Sequence, residues 1–168
     1  MGCYPRRMRP TLILVPALAF FAMSISCSSK PESSETPTMP PNNSSQAYLE
    51  RAAAEPGAQK TASGLVYREI TAGSGMSPKA TDTVKVHYRG TLVDGKEFDS
   101  SYARNEPAEF PLNQVIPCWT EGVQKMKVGG KSRLVCPSNL AYGDRGAPPD
   151  IPGGATLIFE IELLGITK

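Results

Sequence analysis

The stretch TVKVHYRGTLVDGKEFDSS, residues 83–101, decides the fold. Over residues 83–92 apolar and polar side chains alternate. Val84, Val86 and Tyr88 point one way, and Lys85, His87 and Arg89 the other. A period of two belongs to a strand with one buried face. Asp94-Gly95, between Val93 and Lys96, signals a tight hairpin turn, and residues 97–99 begin a return strand. Further out, residues 65–71 (LVYREIT) and 131–136 (KSRLVC) read as strands, the second with Ser132, Leu134 and Cys136 on one face. Residues 155–166 (ATLIFEIELLGI) read as another, with Leu157, Phe159 and Ile161 on one side. Residues 116–126 (IPCWTEGVQKM) are the one helical candidate in this half, and Gly129-Gly130 is its stop signal. No internal repeat is visible. The class is α+β: an antiparallel sheet that buries one face against a single short helix.

Composition bounds the function. The chain has 168 residues, 40% hydrophobic and 20% charged, which is enough for one domain. It holds one histidine, so a three-histidine metal site is excluded and no metal or other cofactor is expected. The formal net charge of +2 misleads, because Arg6, Arg7 and Arg9 stand in a leader without acids. The remainder has 15 basic against 16 acidic residues, counted from the 18 and 16 of the whole chain. A nucleic-acid partner normally requires a basic face, so none is expected.

Those three arginines precede an apolar run over residues 11–25, interrupted by Pro16. A spanning helix needs about 20 apolar residues, so the run reads as an export signal rather than an anchor. Ser26-Cys27-Ser28-Ser29 follows and resembles a bacterial lipoprotein cleavage box, in which Cys27 is lipidated and becomes the new N-terminus. Ser24 stands where such boxes usually carry Leu, and ordinary cleavage after Ala22-Met23-Ser24 is the competing outcome. Residues 1–26 are therefore assigned as a lipoprotein-type signal peptide. Residues 27–43 are assigned as a Ser/Pro-rich tether, with Pro31, Pro37, Pro40 and Pro41 and no large apolar residue but Met39. Such a segment cannot bury enough surface to offset its chain entropy, so disorder is expected. Extended at about 3.1 Å per residue it would reach about 50 Å, suited to a stalk above a membrane. Residues 44–62 are read as a short helix, with Ser44 or Ser45 at its cap, and a linker; Tyr48, Leu49 and Ala52 form its weak apolar face. Residues 63–168 form the domain proper.

Cysteine usage is consistent with export. With Cys3 in the leader and Cys27 at the cleavage box, Cys118 and Cys136 remain as an even pair in an oxidising compartment. Two readings stand: buried inert thiols, or a disulfide from the helix start to residues 131–136. Export favours the disulfide. A spacing of 18 residues is unlike the CxxC of thioredoxin-type redox chemistry.

The segments VKVHYRGTLVDGKEFDSS, VIPCWTEGVQKMKVGGKSRLVCPSNLAYGDRG and IPGGATLIFEIELL resemble the FKBP-type peptidyl-prolyl cis-trans isomerases, over essentially all of residues 63–168 and in order. Within that family they look most like the bacterial exported branch of macrophage infectivity potentiators. The resemblance implies a five- or six-stranded antiparallel sheet wrapped around one short helix. It also implies a pocket of Tyr88, Phe98, Trp119, Tyr142 and Phe159, with Trp119 as its floor and Phe110 as a further aromatic. Asp99 matches the family's pocket carboxylate and Arg104 the arginine near it. Gln114 takes a position often held by Glu. Val115 and Ile116 match the segment whose N–H, at Ile116, binds a ligand carbonyl, and the Tyr142 hydroxyl would bind a second. Ile151 matches an apolar residue of the flap between Gly143 and Gly154.

The implied activity is X–Pro isomerisation without covalent chemistry, acting on proline-containing polypeptides of the envelope or exterior and inhibited by macrolides such as rapamycin. Two departures bear on it. Ala108 replaces a pocket Phe of the best-known eukaryotic members and widens one wall, and Cys118 replaces a Gly. Potentiator-type relatives carry a long dimerisation arm, of which only residues 46–55 resemble the end, so a monomer is expected. Taken alone, aromatics on alternating strand positions are ordinary core residues. His87, opposite Tyr88, reads as a solvated strand residue, and Gly129-Gly130 lacks the spacing of a phosphate loop. A proline-binding chaperone with little turnover and a surface contact lipoprotein are the other functional readings.

Overall fold

The computed structural model describes residues 41–167, with side chains from residue 44 onward. The leader, the Cys27 lipidation site and the tether expected over residues 27–43 lie outside the described residues, apart from the backbone of residues 41–43.

Helix α1 (Pro41–Ala53) is followed by strands β1 (Ala58–Lys60), β2 (Val66–Thr71), β3 (Thr83–Leu92), β4 (Glu97–Ser100) and β5 (Ala108–Pro111). Helix α2 (Pro117–Val123), strand β6 (Lys131–Cys136), a 3-10 turn (Ser138–Leu140) and strand β7 (Leu157–Thr167) complete the chain. The strands make one antiparallel sheet in the order β1-β2-β6-β7-β3-β4, with β5 also paired to β3. β1 and β5 take the sheet beyond the five or six strands expected. β3 is central, flanked by β7 along its whole length and by β4 and β5 in succession on its other edge.

The alternation read over residues 83–92 is realised. Val84, Val86 and Tyr88 are buried, while Lys85 and Arg89 face outward. The three buried residues, with Leu134, Leu157, Phe159 and Ile161, form the inner face that α2 covers with Cys118, Trp119 and Val123. Full burial of one such aliphatic side chain contributes about 1.5–3 kcal/mol. Pro117 at the first turn starts α2, which ends at Val123, three residues before the expected boundary. Lys125 and Met126 instead donate to the carbonyls of Gly122 and Val123, a tightening of the last turn common at helix ends. Gly122 lies over Leu134 so closely that a Cβ there would sit 2.6 Å from its Cδ1. The helix backbone therefore rests directly on the Leu134 side chain.

The sheet buries part of its other face as well. α1 begins at Pro41, so Ser44 and Ser45 stand inside the helix and not at its cap. It lays Leu49 and Ala52 on Val66, Val135 and Ile158, the outward residues of β2, β6 and β7. The Arg133 guanidinium donates to the Tyr48 hydroxyl. Glu55, just past the helix, pairs with Arg68 at 2.6 Å and reaches Arg133 at 3.7 Å.

Candidate active site

The pocket lies on the face of the sheet that α2 covers. Its rings come from five elements: Tyr88 from β3, Phe98 from β4, Phe110 from β5, Trp119 from α2 and Phe159 from β7. Trp119 is central, with its ring 5.2 Å from Tyr88, 5.5 Å from Phe110 and 5.4 Å from Phe159, each crossed at 81–89°. Phe98 meets Phe159 in the same edge-to-face manner at 5.6 Å. Such contacts set one ring's edge against another's face and hold both orientations. The pocket between them has a volume of about 380 Å³. Asp99, Gln114, Val115, Ile116 and Tyr142 complete its wall, and Tyr142 is 42% exposed at the rim.

One polar assembly interrupts the apolar wall. The Tyr88 hydroxyl donates to Asp99 Oδ2 at 2.5 Å. Arg104 donates through Nη1 to Asp99 Oδ1 at 2.6 Å and through Nη2 to the Tyr88 oxygen at 2.8 Å. Partial burial pushes the Asp99 carboxyl up, but the hydrogen bonds from Tyr88 and Arg104 and the guanidinium charge outweigh it. The carboxyl is held below its ordinary range. Burial, then the bond to Asp99, raises the Tyr88 phenol, while Asp99 and Tyr88 raise the Arg104 guanidinium further. Asp99 is thus a carboxylate, and Tyr88 and Arg104 keep their protons at neutral pH. Arg104 and Asp99 are 50% and 42% exposed in their side chains, so this ion pair contributes little to global stability.

Two further groups offer hydrogen-bonding capacity. Ile116 stands at the helix boundary with φ −59° and ψ 146°, and among the described residues its N–H makes no hydrogen bond. Tyr142 follows the 3-10 turn at the foot of the flap. Gly154 N–H donates to the Gly143 carbonyl at 2.9 Å, and Ala147 and Ile151 exchange backbone bonds at 2.9 and 3.0 Å to shape the flap. Ile151 is buried in the core cluster and does not line the pocket. Arg104 also stands behind the wall, reaching it only through Asp99 and Tyr88. The other ten residues expected in the pocket line it together. Cys118 and Cys136 are joined in a disulfide with Cα atoms 5.8 Å apart, tying the first turn of α2 to the end of β6.

Gly90 belongs to the site and escaped the sequence reading. A Cβ on it would lie 2.6 Å from Phe98 Cζ and 3.0 Å from Phe159 Cε1. The missing side chain lets both rings lie on β3. Among the described residues no group of His, Cys, Asp and Glu is arranged to hold a metal ion.

A sequence model described as FKBP-type peptidyl-prolyl cis-trans isomerase matches residues 75–164. The FKBP-type peptidyl-prolyl cis-trans isomerase FkpA of Aeromonas hydrophila is 58% identical over 121 residues, 72% of this chain and 45% of that protein. The crystal structure of FkpA from Escherichia coli superposes with a TM-score of 0.73 at 50% identity, covering 76% of this chain and 59% of that one. A peptidyl-prolyl cis-trans isomerase of Pseudomonas syringae pv. tomato superposes with a TM-score of 0.71 at 38% identity, covering 77% of this chain and 98% of that one. The chain belongs to the FKBP-type peptidyl-prolyl cis-trans isomerase family. It spans about half the length of the curated relatives it matches.

Proposed function

We propose that this chain is a peptidyl-prolyl cis-trans isomerase acting on X–Pro bonds of exported or envelope polypeptides. The observation that carries this reading is the open pocket of about 380 Å³ walled by five aromatic rings around Trp119. An X–Pro bond rotates in tens of seconds uncatalysed, against a barrier of about 18–20 kcal/mol from amide resonance. The twisted amide has lost C–N double-bond character and much of its carbonyl dipole. A water-poor apolar site therefore disfavours the planar, polar ground state more than the twisted one. Tyr88, Phe98, Phe110, Trp119 and Phe159 supply that environment. The proline ring rests on Trp119, Val115 and Gln114 border the entry, and the flap holding Ile151 frames it. The Ile116 N–H and the Tyr142 hydroxyl hold carbonyls on either side of the rotating bond. Asp99, fixed as a carboxylate by Tyr88 and Arg104, orients the peptide electrostatically. No proton is transferred and no covalent intermediate forms.

The same reading covers the rest of the chain. Residues 1–26 direct export as a lipoprotein-type signal, Cys27 carries the lipid, and residues 27–43 tether the domain to an envelope membrane. Residues 44–62 join that tether to the isomerase domain of residues 63–168, with α1 lying on its sheet and β1 paired with β2. The chain works as a monomer of the macrophage infectivity potentiator-like branch. Support comes from the arginines before the 15-residue apolar run, from the Ser-Cys-Ser box and from the proline-rich segment after it. Two or more acyl chains give stable attachment.

A protease-coupled assay on X–Pro peptides tests the activity. Turnover that rapamycin abolishes is expected. Binding of the peptide without acceleration would replace the enzyme with a proline-binding chaperone. Mass spectrometry of the mature N-terminus tests the anchor: a diacylated or triacylated Cys27 is expected, and an unmodified residue 25 at the terminus would refute it.

A further inference from the structure

β4 and β5 pair with the same edge of β3, β4 through residues 89–91 and β5 through residues 83–86. His87 and Tyr88 face the gap between them. There the chain leaves the sheet for the loop of residues 101–107, and Ser101, fully buried, closes the gap. Its N–H donates to the Tyr88 carbonyl at 2.9 Å, as a paired strand residue would. Its own carbonyl is used elsewhere, accepting from the Glu106 N–H at 3.3 Å to close the loop. The Tyr88 N–H would lose its ladder partner, and the Ser101 hydroxyl oxygen accepts it instead at 2.8 Å. That oxygen also lies 3.2 Å from the Tyr88 carbonyl and 3.0 Å from His87 Nδ1.

A serine hydroxyl has one hydrogen and two lone pairs. All three contacts are satisfied together when Oγ donates to the Tyr88 carbonyl and accepts from the Tyr88 N–H and from a hydrogen on His87 Nδ1. His87 is in turn held by stacking on Tyr102, with centroids 4.8 Å apart and planes 15° from parallel. One buried hydroxyl thus fixes the backbone of a pocket tyrosine and the departure point of the loop that carries Arg104. Those are two of the three members of the Tyr88–Asp99–Arg104 assembly. Ser101 itself does not line the pocket.

Resting on the isomerase reading, we propose that Ser101 is a positioning residue for the reaction. Its hydroxyl, oriented by His87, sets Tyr88 and Arg104 so that they converge on Asp99 in the pocket wall. A serine fits there because the Ser101 carbonyl is turned to the Glu106 N–H, and the hydroxyl takes the Tyr88 N–H in its place.

Three variants of the whole protein test this. Ser101→Ala removes the hydroxyl, Ser101→Cys keeps nearly the same volume with a poor hydrogen-bonding group, and Ser101→Thr keeps the hydroxyl. The Ala and Cys variants are expected to lose about tenfold in kcat/KM on an X–Pro peptide, and Thr to restore most of it. In a Tyr88→Phe, Arg104→Ala background the Cys change should cost no more than about twofold, because the groups it positions are gone. A Ser101→Cys variant as active as wild type, or one that loses as much in that background, would overturn the proposal. An unfolded Ser101→Cys would do the same, since it would make the hydroxyl a structural group. A readout free of turnover separates this from the isomerase reading. In arginine side-chain nitrogen NMR the Arg104 guanidinium N–H signals should exchange slowly with water in wild type and Ser101→Thr and be lost in Ser101→Cys. An inactive wild type would refute the isomerase reading alone; unchanged Arg104 signals in Ser101→Cys would refute the positioning role.

Discussion

Gly90 shows how a residue without a side chain can shape a pocket made of side chains. Phe98 and Phe159 occupy the space its Cβ would take. Gly90→Ala should force the Phe98 ring out of its contact with Phe159. Overpacking of this kind costs about 1–3 kcal/mol, so a lower melting temperature is expected together with a loss of isomerase rate. A variant that keeps wild-type kcat/KM would show that the Phe98 orientation does not matter. The polar assembly sets a second expectation. Asp99 has a lowered folded value, so the stabilisation it gives is present above the ordinary carboxylate range, near pH 4, and is lost as pH falls through the folded value. Tyr88 is raised and stays protonated through neutrality. The rate on an uncharged X–Pro peptide should therefore be flat from about pH 5 to 8, with loss only in acid. A bell-shaped profile centred in that window would require proton transfer in the reaction. The rings and Asp99 were reachable in the sequence through the resemblance, and period alone marked Tyr88 and Phe159 only as core. Gly90 and Ser101 were not legible, because the reason for each lies in what the fold places against it: two rings from other strands for Gly90, a gap in the ladder for Ser101.

At the level of elements, the strands that alternate were legible and those that do not were missed. β3 and β6 have the bounds expected from their patterns, since each has a clear inner face. β1 is three residues of half-exposed and exposed positions, and β5 has no fully buried residue. Neither carries a period to read, and both exist because a neighbouring edge offers backbone partners. The back face was missed for a related reason: α1 buries few apolar residues, principally the small Ala52 and one leucine. Leu49 is 7% exposed there, and Leu49→Ala should cost about 2 kcal/mol or somewhat more in chemical denaturation. Because the pocket lies on the opposite face, kcat/KM should not change; a large fall in rate would mean that α1 acts on the site through the sheet. On the pocket side, the disulfide ties the turn bearing Trp119 to β6. An unreduced tryptic digest should contain a peptide pair linked through Cys118 and Cys136, and reduction should lower stability by about 3 kcal/mol for a loop of this length. Recovery of both cysteine peptides free before reduction would show that the pair does not form.

Over the whole molecule, a single antiparallel sheet serves two faces, with α1 on the back and the aromatic site on the front. The site draws residues from β3, β4, β5, the segment before α2, α2 itself, the stretch after the 3-10 turn and β7, so it exists only when the fold is complete. The near-neutral charge of the domain directs no particular partner. In the proposed function recognition falls to the rings and to the few hydrogen-bonding groups at their rim. The proposed function requires that this pocket speed rotation about a prolyl peptide bond. The most direct test is NMR exchange spectroscopy on a proline tetrapeptide containing a catalytic amount of protein, with wild type beside Phe98→Ala. Wild type should bring cis–trans exchange from tens of seconds to well below one second, and Phe98→Ala should be slower by about tenfold or more with an unchanged circular dichroism spectrum. Exchange at the uncatalysed rate with wild type, or equal exchange with both proteins, would contradict it.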